Sequence, residues 1–387
     1  MNEINSAEST VYELLRQRMD QWPTRAPKSA EILKILKELF TREEAELLTY
    51  FKGPYIDLAN PEEIASRSGK PFEEVVEILN SLADRGLMYR MGHSRKRAKF
   101  TIWPVVIGIF EFFFSNAKIW SDEKKQKLGK LFESYMTRVL FPIISASNYP
   151  WPRVIPSNTS EKMIKIDKEI EGVSQKVLAF EEIEEILNQK TSFSVMDCSC
   201  RTHHEILGKG CGKTIETCVS FDLNAEFFIG NGMAKRLTRE ETLDLLRKCE
   251  KEGLVHLSLN AQNINFICNC CKDCCGILRP LTEFHRPGMF ATSNFRATID
   301  RSKDCKECFQ CFEKCPTHAI LSIPNQDDGN SDFEIDEKLC IGCGLCSSNC
   351  PTKHFKLIKI KSEIPELGMP ETYKRYARER YRYKSAR

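Results

Sequence analysis

Residues 305–316 read CKECFQCFEKCP, and residues 340–351 read CIGCGLCSSNCP. Both runs follow the spacing C-x2-C-x2-C-x3-C, and both end in proline. Three thiols two residues apart can take three corners of a metal–sulfur cage within one turn of chain, and the fourth must come from elsewhere. Each closing proline, Pro316 and Pro351, fixes φ and stiffens the exit, so the chain does not fold back over the cage. Between the runs, AILSIPN and FEID read as short strands. A pair of zinc ribbons is the competing reading; two complete four-cysteine runs closed by proline favour iron–sulfur.

Over residues 298–360 the chain resembles the bacterial-type two-cluster ferredoxins, in which the fourth cysteine of each run crosses to the other cluster. The resemblance implies one [4Fe–4S] cluster on Cys305, Cys308, Cys311 and Cys350, and a second on Cys340, Cys343, Cys346 and Cys315. Gly342 and Gly344 leave room for backbone amides to approach sulfur, which raises a cluster's potential. The first run has Lys306, Glu307 and Phe309 in those places, so the two clusters are expected to differ in potential.

Upstream stand DCSC (197–200), GKGCGKTIETC (208–218) and ICNCCKDCC (267–275). They hold Cys198, Cys200, Cys211, Cys218, Cys268, Cys270, Cys271, Cys274 and Cys275. Neighbours such as Cys270–Cys271 and Cys274–Cys275 point to opposite sides of a short backbone and do not readily share a metal corner. The set favours one or two further iron–sulfur clusters, with structural zinc and buried free thiols as the alternatives. Through DCSCR, IETC and CNCCKDCC this region resembles a domain of cytosolic multi-cluster ferredoxins of anaerobic metabolism. Arg201, His203 and His204 follow the first pair, where they offer donors to cluster sulfur or to an anionic partner, although a histidine pair on a polar loop reads first as solvated; Cys249, inside LLRKCEKEG, reads as a packed core residue. GKGCGKT falls one residue short of a phosphate-loop spacing, so its glycines are assigned to a bend.

The chain has 387 residues, 41% hydrophobic and 29% charged, with a net charge of +3, which describes a folded multidomain protein and names no partner. MNEINSAEST lacks the pattern of a secretory signal, and IWPVVIGIFEFFF is too short and too charged to span a bilayer. A cytoplasmic location follows, where clustered cysteines act as ligands rather than disulfides.

The expected fold is α+β and multidomain. Residues 1–30 read as a loose lead-in. Residues 31–103 run helix, turn, helix, then LMYRM and KFTIW as a hairpin, and resemble a winged helix-turn-helix. Residues 104–158 read as a helical segment with a Pro-rich linker, 159–297 as an α/β cysteine-rich domain, and 361–387 as a basic, Tyr-rich tail, either a solvated helix or a segment that docks an acidic redox partner or nucleic acid.

The function expected is electron transfer by a multi-cluster ferredoxin, passing single electrons to or from a cytosolic oxidoreductase. The alternative is a redox-sensing winged-helix regulator that binds DNA. Glu73, Glu74 and Glu77 at the start of the recognition helix repel phosphates, while the basic wing (Arg95, Lys96, Arg97, Lys99) attracts them. Protein docking is therefore favoured over nucleic acid for this domain.

Overall fold

Helix α1 (Asn2–Met19) buries Tyr12, Leu15 and Met19 along one face. The computed structural model describes residues 2–92, 94–144, 149–157, 178–283, 291–324 and 331–385. The loose lead-in expected for residues 1–30 is thus corrected, because apolar side chains at i, i+3 and i+7 give the segment a face to bury. Helices α2 (Ala30–Leu39), α3 (Arg42–Leu48) and α4 (Pro61–Ser68) start where Ser29, Thr41 and Asn60 each accept a hydrogen bond from the N–H three residues on. Helix α5 (Phe72–Asp84) follows Pro71. Strands β1 (Met88–Met91) and β2 (Lys99–Ile102) pair antiparallel with Met88 opposite Ile102, and Ala59 bridges to Phe100. Helices α6 (Phe110–Ser115), α7 (Asp122–Tyr135) and α8 (Phe141–Ile144) come next.

The chain continues through β3 (Pro152–Ile155), α9 (Ile183–Asn188), β4 (Phe193–Asp197), α10 (Ser199–Ile206), β5 (Glu216–Phe221), α11 (Asp222–Gly230) and β6 (Lys235–Leu237). After α12 (Arg239–Lys251) come β7 (Val255–Leu259), β8 (Phe266–Cys270), α13 (Leu278–Glu283) and β9 (Phe295–Ile299). The last elements are α14 (Gln310–Glu313), β10 (Ile320–Pro324), β11 (Ser331–Ile335), α15 (Leu345–Ser348), β12 (Phe355–Lys359) and α16 (Met369–Ser385).

Two compact units result. The first comprises Met1–Ile144, Met196–Gly210 and Phe227–Lys235. Its last two segments belong to the stretch expected to form one cysteine-rich domain over 159–297, so that expectation is revised. Aromatic packing explains the difference: Phe110 and Phe114 hold the His203 ring, Phe112 meets Phe228, and Tyr89 meets Phe227. Ser115 Oγ donates to the Asp197 carbonyl at 2.7 Å, and His203 Nε2 lies 2.9 Å from the Gly129 carbonyl.

The second unit comprises Ser145–Val195, Cys211–Glu226 and Arg236–Arg387. Its large sheet has the strand order β3-β7-β8-β5-β4-β6. The Pro-rich linker expected within 104–158 is here an edge strand, with Pro152 opposite Leu259 and Ile155 opposite His256. An edge strand tolerates proline, and burial of Trp151, Val154 and Ile155 holds it in place. Two smaller pairs, β9 with β12 and β10 with β11, carry the cysteine runs. The basic tail is also corrected: α16 buries Tyr373 and Tyr376, and Trp151 stacks on Tyr373 with centroids 6.4 Å apart. Among the described residues no helix is long and apolar enough to cross a membrane.

Candidate metal centres

The C-terminal module repeats itself at an offset that carries Cys305 to Cys340 and Cys315 to Cys350. Its backbone repeats too. Glu307 and Phe309 have φ of +49° and +55°, and their counterparts Gly342 and Gly344 have +67° and +77°. His318 and Lys353 match in the same way, at +54° and +57°. Left-handed turns between the cysteines aim successive thiols at one point, and both runs make them whether or not glycine is present. At Gly342 the approach is also tight, since a Cβ would lie 2.0 Å from the Phe295 carbonyl oxygen.

Cys305, Cys308, Cys311 and Cys350 line one cavity together with Phe309, Phe333, Pro351 and Phe355. Cys315, Cys340, Cys343 and Cys346 line another with Ala297, Pro316, Ile341 and Leu345. Each cavity draws three thiols from one run and one from the other. Amide N–H groups face the sulfurs: Ala319 to Cys315 at 3.2 Å, Glu307 to Cys305 at 3.4 Å and Ala297 to Cys340 at 3.5 Å. Glu307 therefore offers its amide as a glycine would, and bulk at that position does not separate the two sites in amide access.

Burial pushes the Cys311 thiol up to about 12, and pushes Cys340, Cys343 and Cys346 up as well. At Cys350 burial acts the same way, but N–H groups of Phe355, His354 and Thr352 and the Thr352 hydroxyl outweigh it and leave the thiol below its ordinary value. Buried thiols of this kind ionise when a cation supplies the missing charge. Eight sulfurs around two apolar cavities, with amides aimed at them, are a donor set suited to iron–sulfur cubanes. Of the eighteen cysteines only Cys308 is exposed.

The central cysteines separate into groups. Strand β5 pairs with β8 through Val219 opposite Ile267, and the same register continued by one residue sets Cys218 opposite Cys268. Alternation along the strands then puts Cys218, Cys268 and Cys270 on one face of the sheet. Cys270 shares hydrogen bonds with Cys268 and Cys275, and these, with burial, push its thiol well above the ordinary value. Cys271 and Cys274 turn the other way, toward Cys211. The three sulfurs of Cys211, Cys271 and Cys274 lie within 4.8 Å of one another. Each adjacent cysteine pair is thus divided between two sites. Cys198 and Cys200, in the first unit, hydrogen-bond to each other, which together with burial raises the Cys198 thiol.

A model of the 4Fe-4S dicluster domain matches residues 304–354. The pyruvate synthase subunit PorD of Methanocaldococcus jannaschii is 36% identical over 69 residues, which are 18% of this chain and 71% of that protein. This chain belongs to the 4Fe–4S dicluster family. PorD of Methanothermobacter marburgensis is 31% identical over 80 residues, 21% of this chain and 84% of the relative. The delta subunit of the NADH-dependent phenylglyoxylate dehydrogenase of Aromatoleum evansii is 30% identical over 63 residues, 16% of this chain and 60% of the relative. No solved structure matches the chain. The dicluster protein holds multiple [4Fe–4S] clusters and is an iron–sulfur electron-transfer protein.

One other expectation changes. Arg201, His203 and His204 are buried on α10 rather than solvated, and His204 Nδ1 lies 3.0 Å from the Cys200 carbonyl. Cys249 is buried, as expected, but its neighbours are Cys271 and Cys274, with Cys211 packed against them. Sequence reasoning passed over it because it sits alone in a strongly helical segment; its burial face, shared with Leu246, was the available signal. Lys213 and Thr214 of GKGCGKT bond to Glu252, so that loop is engaged within the protein.

Proposed function

We propose that this dicluster protein is a cytosolic electron relay with three cluster sites in a row, serving an oxidoreductase. The first site takes Cys305, Cys308, Cys311 and Cys350, and the second Cys315, Cys340, Cys343 and Cys346. The third takes Cys218, Cys268, Cys270 and Cys275 in the central region. The packing of ligands from successive sites carries this reading. Cys311, Cys315 and Cys346 share one buried cluster, and Cys343 packs against the buried cluster that contains Cys270 and Cys275. A bound [4Fe–4S] group accepts or gives up one electron. The chain's own residues bury the sites, direct amides at sulfur and keep consecutive sites in apolar contact. Exposed Cys308 puts the end of the row at the surface, where a partner can reach it.

Residues 31–103 are read as a winged-helix-like docking domain rather than a reader of DNA. Two of the four wing cations are already paired, Arg95 with Asp84 at 3.0 Å and Lys96 with Glu73 at 2.6 Å, as is Lys70 before α5 with Glu43 at 2.9 Å. Asn80, the buried amide of α5, spends its Nδ2 on the Val76 and Arg95 carbonyls. The substitution Cys343→Ser tests the relay. It should remove the spectral signature of one cluster, abolish its spin coupling to the central cluster in reduced protein, and slow reduction of the partner. Unchanged iron content and an unchanged EPR spectrum would refute the ligand assignment.

A further inference from the structure

The cysteines left outside the relay include four that converge from three segments far apart in sequence. The loop after Cys211 is tied to the end of α12 by Glu252. Lys213 Nζ donates to the Glu252 carbonyl at 2.6 Å, and the Thr214 N–H and Oγ1 donate to its carboxylate at 3.0 and 2.6 Å. Cys249 lies on the last turn of that helix and is 1% exposed. It is buried with Leu254, Cys271 and Cys274 in one cluster, against which Cys211 and Leu245 pack.

The spacing of the sulfurs identifies the metal chemistry. Cys211 Sγ and Cys271 Sγ are 3.7 Å apart, and Cys274 joins them with all three inside 4.8 Å. A tetrahedral zinc with Zn–S bonds of about 2.3 Å sets its sulfurs about 3.8 Å from one another. A cubane places each thiolate on a different iron and needs them farther apart, around a cavity, as in the dicluster module. Among the described residues, the Cys211 group is where three ligating side chains draw this close.

We infer that Cys211, Cys271 and Cys274 bind a single zinc ion, separate from the clusters, and that Cys249, which is buried beside them but outside the set of three close sulfurs, turns in as the fourth thiolate. Such a site is structural, with no open position for substrate. It clamps the loop 211–214, the end of α12 and the turn 271–274 together. Cys270 and Cys275 flank that turn and face the other way, so the zinc and the relay draw on separate thiols. The inference stands apart from the relay: a colourless protein still holding zinc would refute the relay and leave this site intact.

The full-length protein, purified anoxically from cells supplied with both metals, is the material for the test. Metal analysis should find about one zinc per chain, and zinc-edge X-ray absorption about four sulfurs at about 2.3 Å. Cys249→Ser should lose that zinc on dialysis against EDTA while its iron content stays at the parent level, and Cys198→Ser should keep it. Absence of zinc from the parent protein, a nitrogen or oxygen in place of the fourth sulfur, or loss of iron from Cys249→Ser would each overturn the inference. Should Cys249→Ser fail to fold, the absorption spectrum of the parent protein decides the question without it.

Discussion

Replacing Gly342 with alanine probes the geometry on which the second cluster site depends. The glycine stands between Cys340 and Cys343 with φ of +67°, and the added Cβ would meet the Phe295 carbonyl oxygen at 2.0 Å and its carbon at 2.7 Å. Both atoms are backbone at the start of β9, so no side-chain rotation relieves the clash. The left-handed conformation alone costs a β-carbon about 1 kcal/mol. Displacing Phe295 also strains its pairing with Lys359 and the N–H···S contact from Ala297 to Cys340, for about 1–3 kcal/mol more. Together these give a loss on the order of 3 kcal/mol. The counterpart Glu307 already carries a Cβ at φ of +49°, so Glu307→Ala should change stability by less than about 1 kcal/mol. Denaturant unfolding of the anoxic protein, followed by cluster absorbance and paired with iron analysis, measures both variants. Gly342→Ala should unfold at clearly lower denaturant and carry less iron. A parent-like midpoint and iron content for Gly342→Ala, or equal effects at the two positions, would refute the reasoning.

Other outcomes follow from the same packing. Lys359 and Glu181 form a buried ion pair at 2.8 Å, so Lys359→Met, which leaves the carboxylate without its cation, should cost about 3–5 kcal/mol in chemical unfolding, and adding Glu181→Gln should recover part of it. Tyr376→Ala, at a fully buried position of α16, should cost about 3–5 kcal/mol, where a solvated tail would show no change. In fluorescence anisotropy the full-length chain should bind duplex DNA no tighter than the micromolar range of non-specific complexes at physiological salt. Tight, salt-sensitive binding to one defined duplex would instead restore the regulator.

The sequence conveys most where ligand spacing is local. The two C-x2-C-x2-C-x3-C runs lead directly to the pair of cavities, and the opposed directions of Cys270–Cys271 and Cys274–Cys275 anticipate their division between groups. It conveys least where partners are distant. Cys249 carries no local mark of a ligand, since Cys211 reaches it only because the turn at Glu252 holds the glycine-rich loop. Pro150, Pro152 and Pro156 give residues 148–158 the composition of a linker, yet β7 offers an edge at which proline costs little. Residues 196–210 read as part of a cysteine-rich domain until the Phe110 and Phe114 rings are seen around His203. Glu307 and Phe309 show why residue type misleads about backbone: they hold left-handed turns that composition assigns to glycine.

Iron and acid-labile sulfide per chain, determined on anoxically purified full-length protein together with EPR of its reduced form, test the central claim most directly. Three cubanes predict about twelve irons, with an equal amount of sulfide and interacting spins. A preparation with neither iron nor sulfide, holding zinc alone, would contradict the account.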